Sequence, residues 1–275
     1  MSKEVINVNG IVLREVDVGE YDKMLTVLTA ELGKISVFAR GAKRLKSPDF
    51  VACQVYAYSV LTVKTMHDKY YLCESGRSEC FFGIRDILEG AALAAYIADV
   101  ACDIALEDQP EAELLRLVLN SLYSIAKKLK PPMQIKAAFE LRAVSEAGFM
   151  PDLVGCEGCG GADFDTYYFD VEGGYFCCEN CYRAKETDFD TEARRASEAE
   201  GIYSHAHLII PLSPSVFAAM RYVIYCRRER LFAFDLKDEA MEQFAGACEK
   251  YLLCHLERDF KTLDFYHSVA ELRGG

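Results

Sequence analysis

Four cysteines in two close pairs constrain this chain more than any other feature. Cys156-Glu-Gly-Cys159 and Cys178-Glu-Asn-Cys181 stand eighteen residues apart in a glycine-rich stretch. Two residues between thiols allow one tight turn to aim both sulfurs at a single ion. A second such turn completes a tetrahedral set, which is the spacing of a zinc site. With sulfur in all four positions no place is left for a water, so the metal expected here is one structural zinc. Two other readings compete. A redox C-x-x-C needs only one pair, and an iron–sulfur cluster also takes four thiolates, although paired turns favour zinc. Cys177 stands beside Cys178 and could replace it at a wider spacing; Cys178 keeps two intervening residues in both pairs.

The remaining cysteines, eight of twelve, are scattered, mostly among apolar residues, as small core side chains usually are. The chain opens MSKEVINVNG, without a basic segment followed by an apolar one, so no signal peptide is expected. No apolar run reaches the roughly twenty residues of a membrane span, and the alanine-rich 91–105 is broken by Asp99 and Asp103. The expectation is a cytoplasmic protein with no membrane partner, whose thiols are reduced or bound to metal.

Residues 1–80 read as strands. Alternation or β-branched runs cover Val5–Val16, Met24–Thr29, Lys34–Arg40, Gln54–Met66 and Tyr70–Cys80. Five antiparallel strands in this length can close a small Greek-key barrel, of which the OB-fold is the commonest. From Phe81 the pattern turns helical, over 82–107, 110–129 and 132–149, with Pro110 and Pro131-Pro132 at two starts. Residues 186–200 are strongly charged and read as solvated. Ser213-Pro214 has the form of an N-cap followed by proline in the first turn, and a long helix is expected over about 237–257. The fold class is therefore α+β: a five-stranded OB-fold barrel over 1–80, then an all-helical domain over 81–275 with a four-cysteine zinc insert at about 152–185.

The net charge of −12 argues against a surface that wraps a polyanion as a whole. Its distribution is uneven. Residues 1–80 hold eleven Lys/Arg against ten Asp/Glu, whereas the rest holds twenty against thirty-three. Lys34, Arg40, Lys43, Arg44 and Lys46 follow one another with no acid between them, and Phe38, Phe50, Tyr56, Tyr58, Tyr70 and Tyr71 interleave with this region. Cations with aromatics on a small barrel suit phosphates and unstacked bases. Against this, such a run is often a solvated loop and barrel aromatics are often core.

No phosphate-binding glycine loop, nucleophile elbow or zinc-protease helix motif occurs. His205 and His207 form an H-x-H pair with no third ligand nearby, the pattern of ordinary surface histidines. Nothing suggests a reaction, and the chain is not expected to be an enzyme.

Several segments, taken in order, resemble the RecO family of bacterial DNA repair and recombination mediators. They are Ile11-Val12-Leu13-Arg14, Tyr21 to Thr29, Leu32-Gly33-Lys34-Ile35, and Arg40-Gly41-Ala42-Lys43-Arg44 with Lys46-Ser47. Further on come Phe139-Glu140-Leu141-Arg142, Ala147 to Leu153 leading into Cys156-x-x-Cys159, and finally His255-Leu256-Glu257-Arg258 with Lys261-Thr262-Leu263. The resemblance implies an OB-fold, a helical domain and, in many members, a four-cysteine zinc site. It also implies binding and annealing of single- and double-stranded DNA, without ATP, and work with RecR to load recombinase onto strands covered by single-strand-binding protein. On matching positions, Lys34, Arg40, Lys43, Arg44 and Lys46, with Arg14, are the expected DNA contacts. Lys136, Phe139 and Arg142 lie near the segment expected to receive the tail of single-strand-binding protein; Ala137 and Ala138 stand where basic residues are frequent in the family. Two rivals remain. One is a zinc-stabilised protein–protein adaptor without direct DNA binding, the other an enzyme using a thiol pair or a zinc-bound water.

Overall fold

The structure, a computed structural model, describes residues 5–67, 69–185 and 208–274. The charged stretch 186–200 and the pair His205 and His207 lie outside the described residues. Two compact units are present, Met1–Ile135 with Phe260–Gly275, and Lys136–Asp259.

The first unit is built on a closed barrel of β1 (Val5–Val18), β2 (Asp22–Thr29), β3 (Gly33–Ala39), β4 (Ala57–Met66) and β5 (Lys69–Cys80), in the order β1-β2-β3-β5-β4. Period-two alternation sends Val8, Val12, Leu25, Val27, Ile35, Val37, Leu61 and Val63 inward, where they form the core. Every neighbouring pair is antiparallel except β3 with β5, which closes the barrel in parallel through Val37–Tyr70 and Phe38–Tyr71. The expected five strands are all present. The fourth starts at Ala57 rather than Gln54, because residues 51–56 form turns ending at Tyr56, whose φ is +67°.

Helices α1 (Leu88–Ile104), α2 (Ala112–Ala126) and α6 (Lys261–Gly274) complete this unit. The segment after α1 crosses the β2–β3 turn, where Lys34 N donates to Leu106 O at 2.8 Å. Gly33 permits that approach: its φ is +62°, and a Cβ there would lie 2.2 Å from the Leu106 carbonyl. Helix α2 opens two residues after Pro110, since Glu111 is its N-cap. α6 returns to α1 through an edge-on Tyr96–Phe260 pair and a 2.8 Å bond from Thr262 Oγ1 to Asp99 Oδ2. The expected boundary at 80/81 therefore marks the end of the barrel, while the compact unit takes in three helices, one of them from the far end of the sequence.

The second unit holds most of α3 (Pro132–Glu146), then β6 (Tyr167–Asp170), β7 (Tyr175–Cys178), β8 (Ile209–Leu212), α4 (Pro214–Tyr225) and α5 (Asp238–Leu256). Its three short strands form a sheet in the order β7-β6-β8, which the sequence reading did not anticipate beside the helices. Phe169, Phe176, Phe217, Phe244 and Tyr251 fill the core, with Tyr167 stacked on Phe217 at 3.8 Å between centroids. As expected, Ser213 caps α4 with proline at its start, although no side-chain cap hydrogen bond forms.

Candidate functional site

The four cysteines of the two pairs converge. The Sγ atoms of Cys156, Cys159, Cys178 and Cys181 all lie within 4.8 Å of one another. The Cys159 and Cys178 sulfurs are 3.9 Å apart, close to the ~3.8 Å between sulfurs that a tetrahedral zinc with about 2.3 Å bonds requires. The first turn is closed by Gly160 N to Cys156 O and Cys156 N to Gly161 O, both at 2.7 Å, and is tied to β7 by Glu157 N to Phe176 O at 2.9 Å. The second pair begins at the end of β7 and continues into the helical segment starting at 179. Gly158 makes room between the pairs: a Cβ there would stand 2.8 Å from the Cys181 sulfur.

The donor set suits a divalent ion that prefers thiolate. The Cys178 backbone N–H points at the Cys156 sulfur at 3.2 Å. Burial raises the Cys156 pKa, but the N–H groups of Cys178, Cys159 and Gly158 outweigh it and bring the thiol down to about 6. A hydrogen bond with the neighbouring Cys178 thiol, followed by burial, pushes Cys181 up to about 12. Cys177 is not part of the cluster. It pairs with Tyr168 in the sheet while Cys178 pairs with Tyr167, so the alternation of β7 turns its side chain to the other face.

The six expected DNA contacts do not form one uniform patch. Arg14 is ion-paired with Asp99, Lys43 with Asp17 at 2.8 Å, and Lys34 donates to Cys102 O at 2.9 Å with Glu107 at 4.0 Å. Arg40, Arg44 and Lys46 are exposed and have no carboxylate partner among the described residues. They lie on the loop that follows β3, which is anchored across the β1–β2 turn. Gly41 N donates to Asp22 Oδ1 at 2.7 Å and Lys43 N to Tyr21 O at 3.0 Å. The Arg44 guanidinium sits 4.8 Å over the Tyr21 ring, a cation–π contact that fixes its direction while leaving its charge available.

Lys136, Phe139 and Arg142 are not on an open groove. Lys136 and Phe139 are buried in the second unit. The Lys136 ammonium bonds Glu140 at 2.8 Å and also Glu249. Burial alone would lower its pKa, but the charges of those two carboxylates outweigh burial and raise it. Arg142 is turned to the carboxyl end of α4. The expectation that these three receive a partner's tail is corrected on that ground: their functional groups are already engaged within the unit. The i, i+4 spacing of Lys136 and Glu140 was the signal for the buried pair. Nothing comparably local marks Arg14 with Asp99, which are 85 residues apart.

Comparison with known proteins agrees with this architecture. Residues 1–77 match the family model described as recombination protein O N terminal, and residues 85–190 match that of recombination protein O C terminal. The DNA repair protein RecO of Acetivibrio thermocellus is 30% identical over 268 residues, 98% of either chain. That of Alkaliphilus metalliredigens is 29% identical over 96% of this chain and all of its own, and that of Bacillus pumilus 28% identical over 98% of both. With both halves matched and the similarity running nearly end to end, the chain belongs to the RecO family of DNA repair proteins.

Proposed function

We propose that this protein is a DNA-binding recombination mediator that works by positioned charge and forms no covalent intermediate. The observation that carries this reading is the basic loop after β3. Three exposed cations, Arg40, Arg44 and Lys46, stand free of carboxylates among the described residues on a closed five-stranded barrel, in a protein of net charge −12. A local cationic loop on an acidic molecule binds phosphates at one place only, and lowers the repulsion between two backbones brought together there. Binding of single and double strands, annealing, and loading of recombinase with RecR onto strands covered by single-strand-binding protein follow from this reading. It places the protein in the cytoplasm, at the nucleoid; no helix among the described residues is long and apolar enough to cross a membrane.

The four-cysteine cluster holds one zinc in this reading. When bound, the ion supplies cross-linking of the two turns and no chemistry on a substrate. The protein's own contribution there is the pair of turns and the N–H groups that favour thiolate.

Fluorescence anisotropy with a labelled single strand at two salt concentrations tests the DNA reading, on wild type and on Arg40→Glu/Arg44→Glu/Lys46→Glu. Wild type should bind and weaken with salt. Loss of three phosphate contacts should cut the slope of log affinity against log salt by about two. Absence of binding by wild type at low salt would favour the adaptor, for which the ion pairs of Arg14 and Lys43 already speak.

A further inference from the structure

The outer face of the barrel carries an aromatic cleft whose Phe38 and Tyr71 belong to neither the core nor the basic loop. The alternation that turns Ile35, Val37 and Ala39 inward leaves Ser36 and Phe38 facing out. Phe38 is paired across the sheet with Met24 on β2 and with Tyr71 on β5, and Tyr71 is paired in turn with Lys64 on β4. Phe38 and Tyr71 meet edge to face with centroids 5.8 Å apart. Together with Ser36, Lys69 and Tyr70 these residues bound a cleft of about 380 Å³, within the size range of small-ligand pockets. The Tyr70 hydroxyl is held by Asp108 at 3.1 Å, which fixes one wall.

The lining is what an aromatic ring attached to a phosphate would need. It offers ring faces, a thioether and an ammonium, and none of its lining among the described residues is a carboxylate, although acids outnumber bases in the chain as a whole. Arg40, exposed, follows Phe38 by two residues and continues into the basic loop. An acidic peptide would find a cation here but would leave the aromatic faces without a flat partner. A flat heteroaromatic base gains stacking and brings its own anion.

We propose that this cleft receives one unstacked nucleobase of a single strand, its ring against Phe38 and Tyr71 and its flanking phosphates at Lys69 and Arg40. The inference rests on the DNA-binding reading and adds to it a contact with the base itself. A duplex keeps its bases paired and stacked, so the cleft is blind to duplex and separates the two substrates. Phosphate contacts alone do not do this.

The chain contains no tryptophan, so Phe38→Trp introduces a single indole reporter at the cleft. Oligothymidylate should quench its fluorescence, whereas an abasic strand of equal length and a duplex should not. Phe38→Leu/Tyr71→Leu, which keeps apolar bulk on the face, should bind oligothymidylate on the order of tenfold more weakly. Its duplex affinity should stay at the wild-type value, which also reports that the barrel is folded. Should wild type bind normal and abasic strands equally, with no quenching at position 38, the base contact is overturned and the phosphate reading survives. If wild type binds no DNA at all, both readings fall together.

Discussion

Arg142 reaches from α3 to the carboxyl end of α4, where its Nη1 donates to the main-chain oxygens of Val223, at 3.1 Å, and of Ile224. The last carbonyls of a helix have no partner within it, and a cation there also meets the negative end of the helix dipole. Glu146, one turn on, holds the same guanidinium at 3.2 Å and is shared with Arg228. Arg142→Met should cost about 1–3 kcal/mol, read by urea denaturation. A variant as stable as wild type would show that water replaces the side chain without loss.

The buried pair Lys136 and Glu140, with half-buried Glu249 beside it, behaves differently. Lys136→Met leaves Glu140 in the interior without its cation and should cost on the order of 3–5 kcal/mol. Lys136→Met/Glu140→Met should recover part of that, because desolvation of both charges is removed together. Strictly additive costs in the double variant would rule out coupling of this kind.

Elemental analysis of the purified protein should find one zinc per chain. Cys156→Ser and Cys181→Ser should each lower both zinc content and melting temperature. Cys177→Ser should leave zinc content unchanged, since Cys177 faces away from the cluster. A drop in zinc for Cys177→Ser equal to that for Cys156→Ser would place the wrong residue in the set.

His255 lies against Phe149 at 5.1 Å and Tyr251 at 4.3 Å, with Nε2 3.0 Å from the carbonyl of Val171. Burial lowers its pKa below the ordinary 6.5, although the bond to Val171 opposes the shift. As pH falls, the unfolded chain takes up this proton before the folded one does. Its contribution to stability is thus intact above 6.5 and is lost as pH drops towards the lower, folded value. The thiol cluster also responds to acid, so the comparison is internal. His255→Phe should lose less stability than wild type between about pH 7 and pH 5, measured by denaturant midpoints. Parallel losses in the two proteins would assign the pH dependence elsewhere.

The barrel was legible because its signal is local. Alternation such as Ile35, Val37 and Ala39 inward with Ser36 and Phe38 outward fixes strand, face and register within a few residues. The metal cluster was legible for the same reason, its spacing being a property of two turns. The three-stranded sheet was not, because β6 and β8 are four residues each and lie about forty residues apart in sequence. Nor could the sequence tell which cations were available. Lys43 and Arg44 are adjacent and chemically alike, yet one is neutralised by Asp17 while the other stacks on Tyr21. Those partners come from another strand and another turn. Lys136 and Phe139 misled because a family match assigns a segment without saying which side of its helix is inside.

The return of α6 to α1 has a consequence for biosynthesis. The barrel is translated before the second unit, but the segment that packs on α1 through Phe260 and Thr262 is translated after it. The first unit therefore cannot be completed until the second has been made, and a nascent or truncated chain would expose the α1 surface around Tyr96 until Phe260 and the helix after it emerge. The barrel's own unit is thus finished only once the second unit has been synthesised.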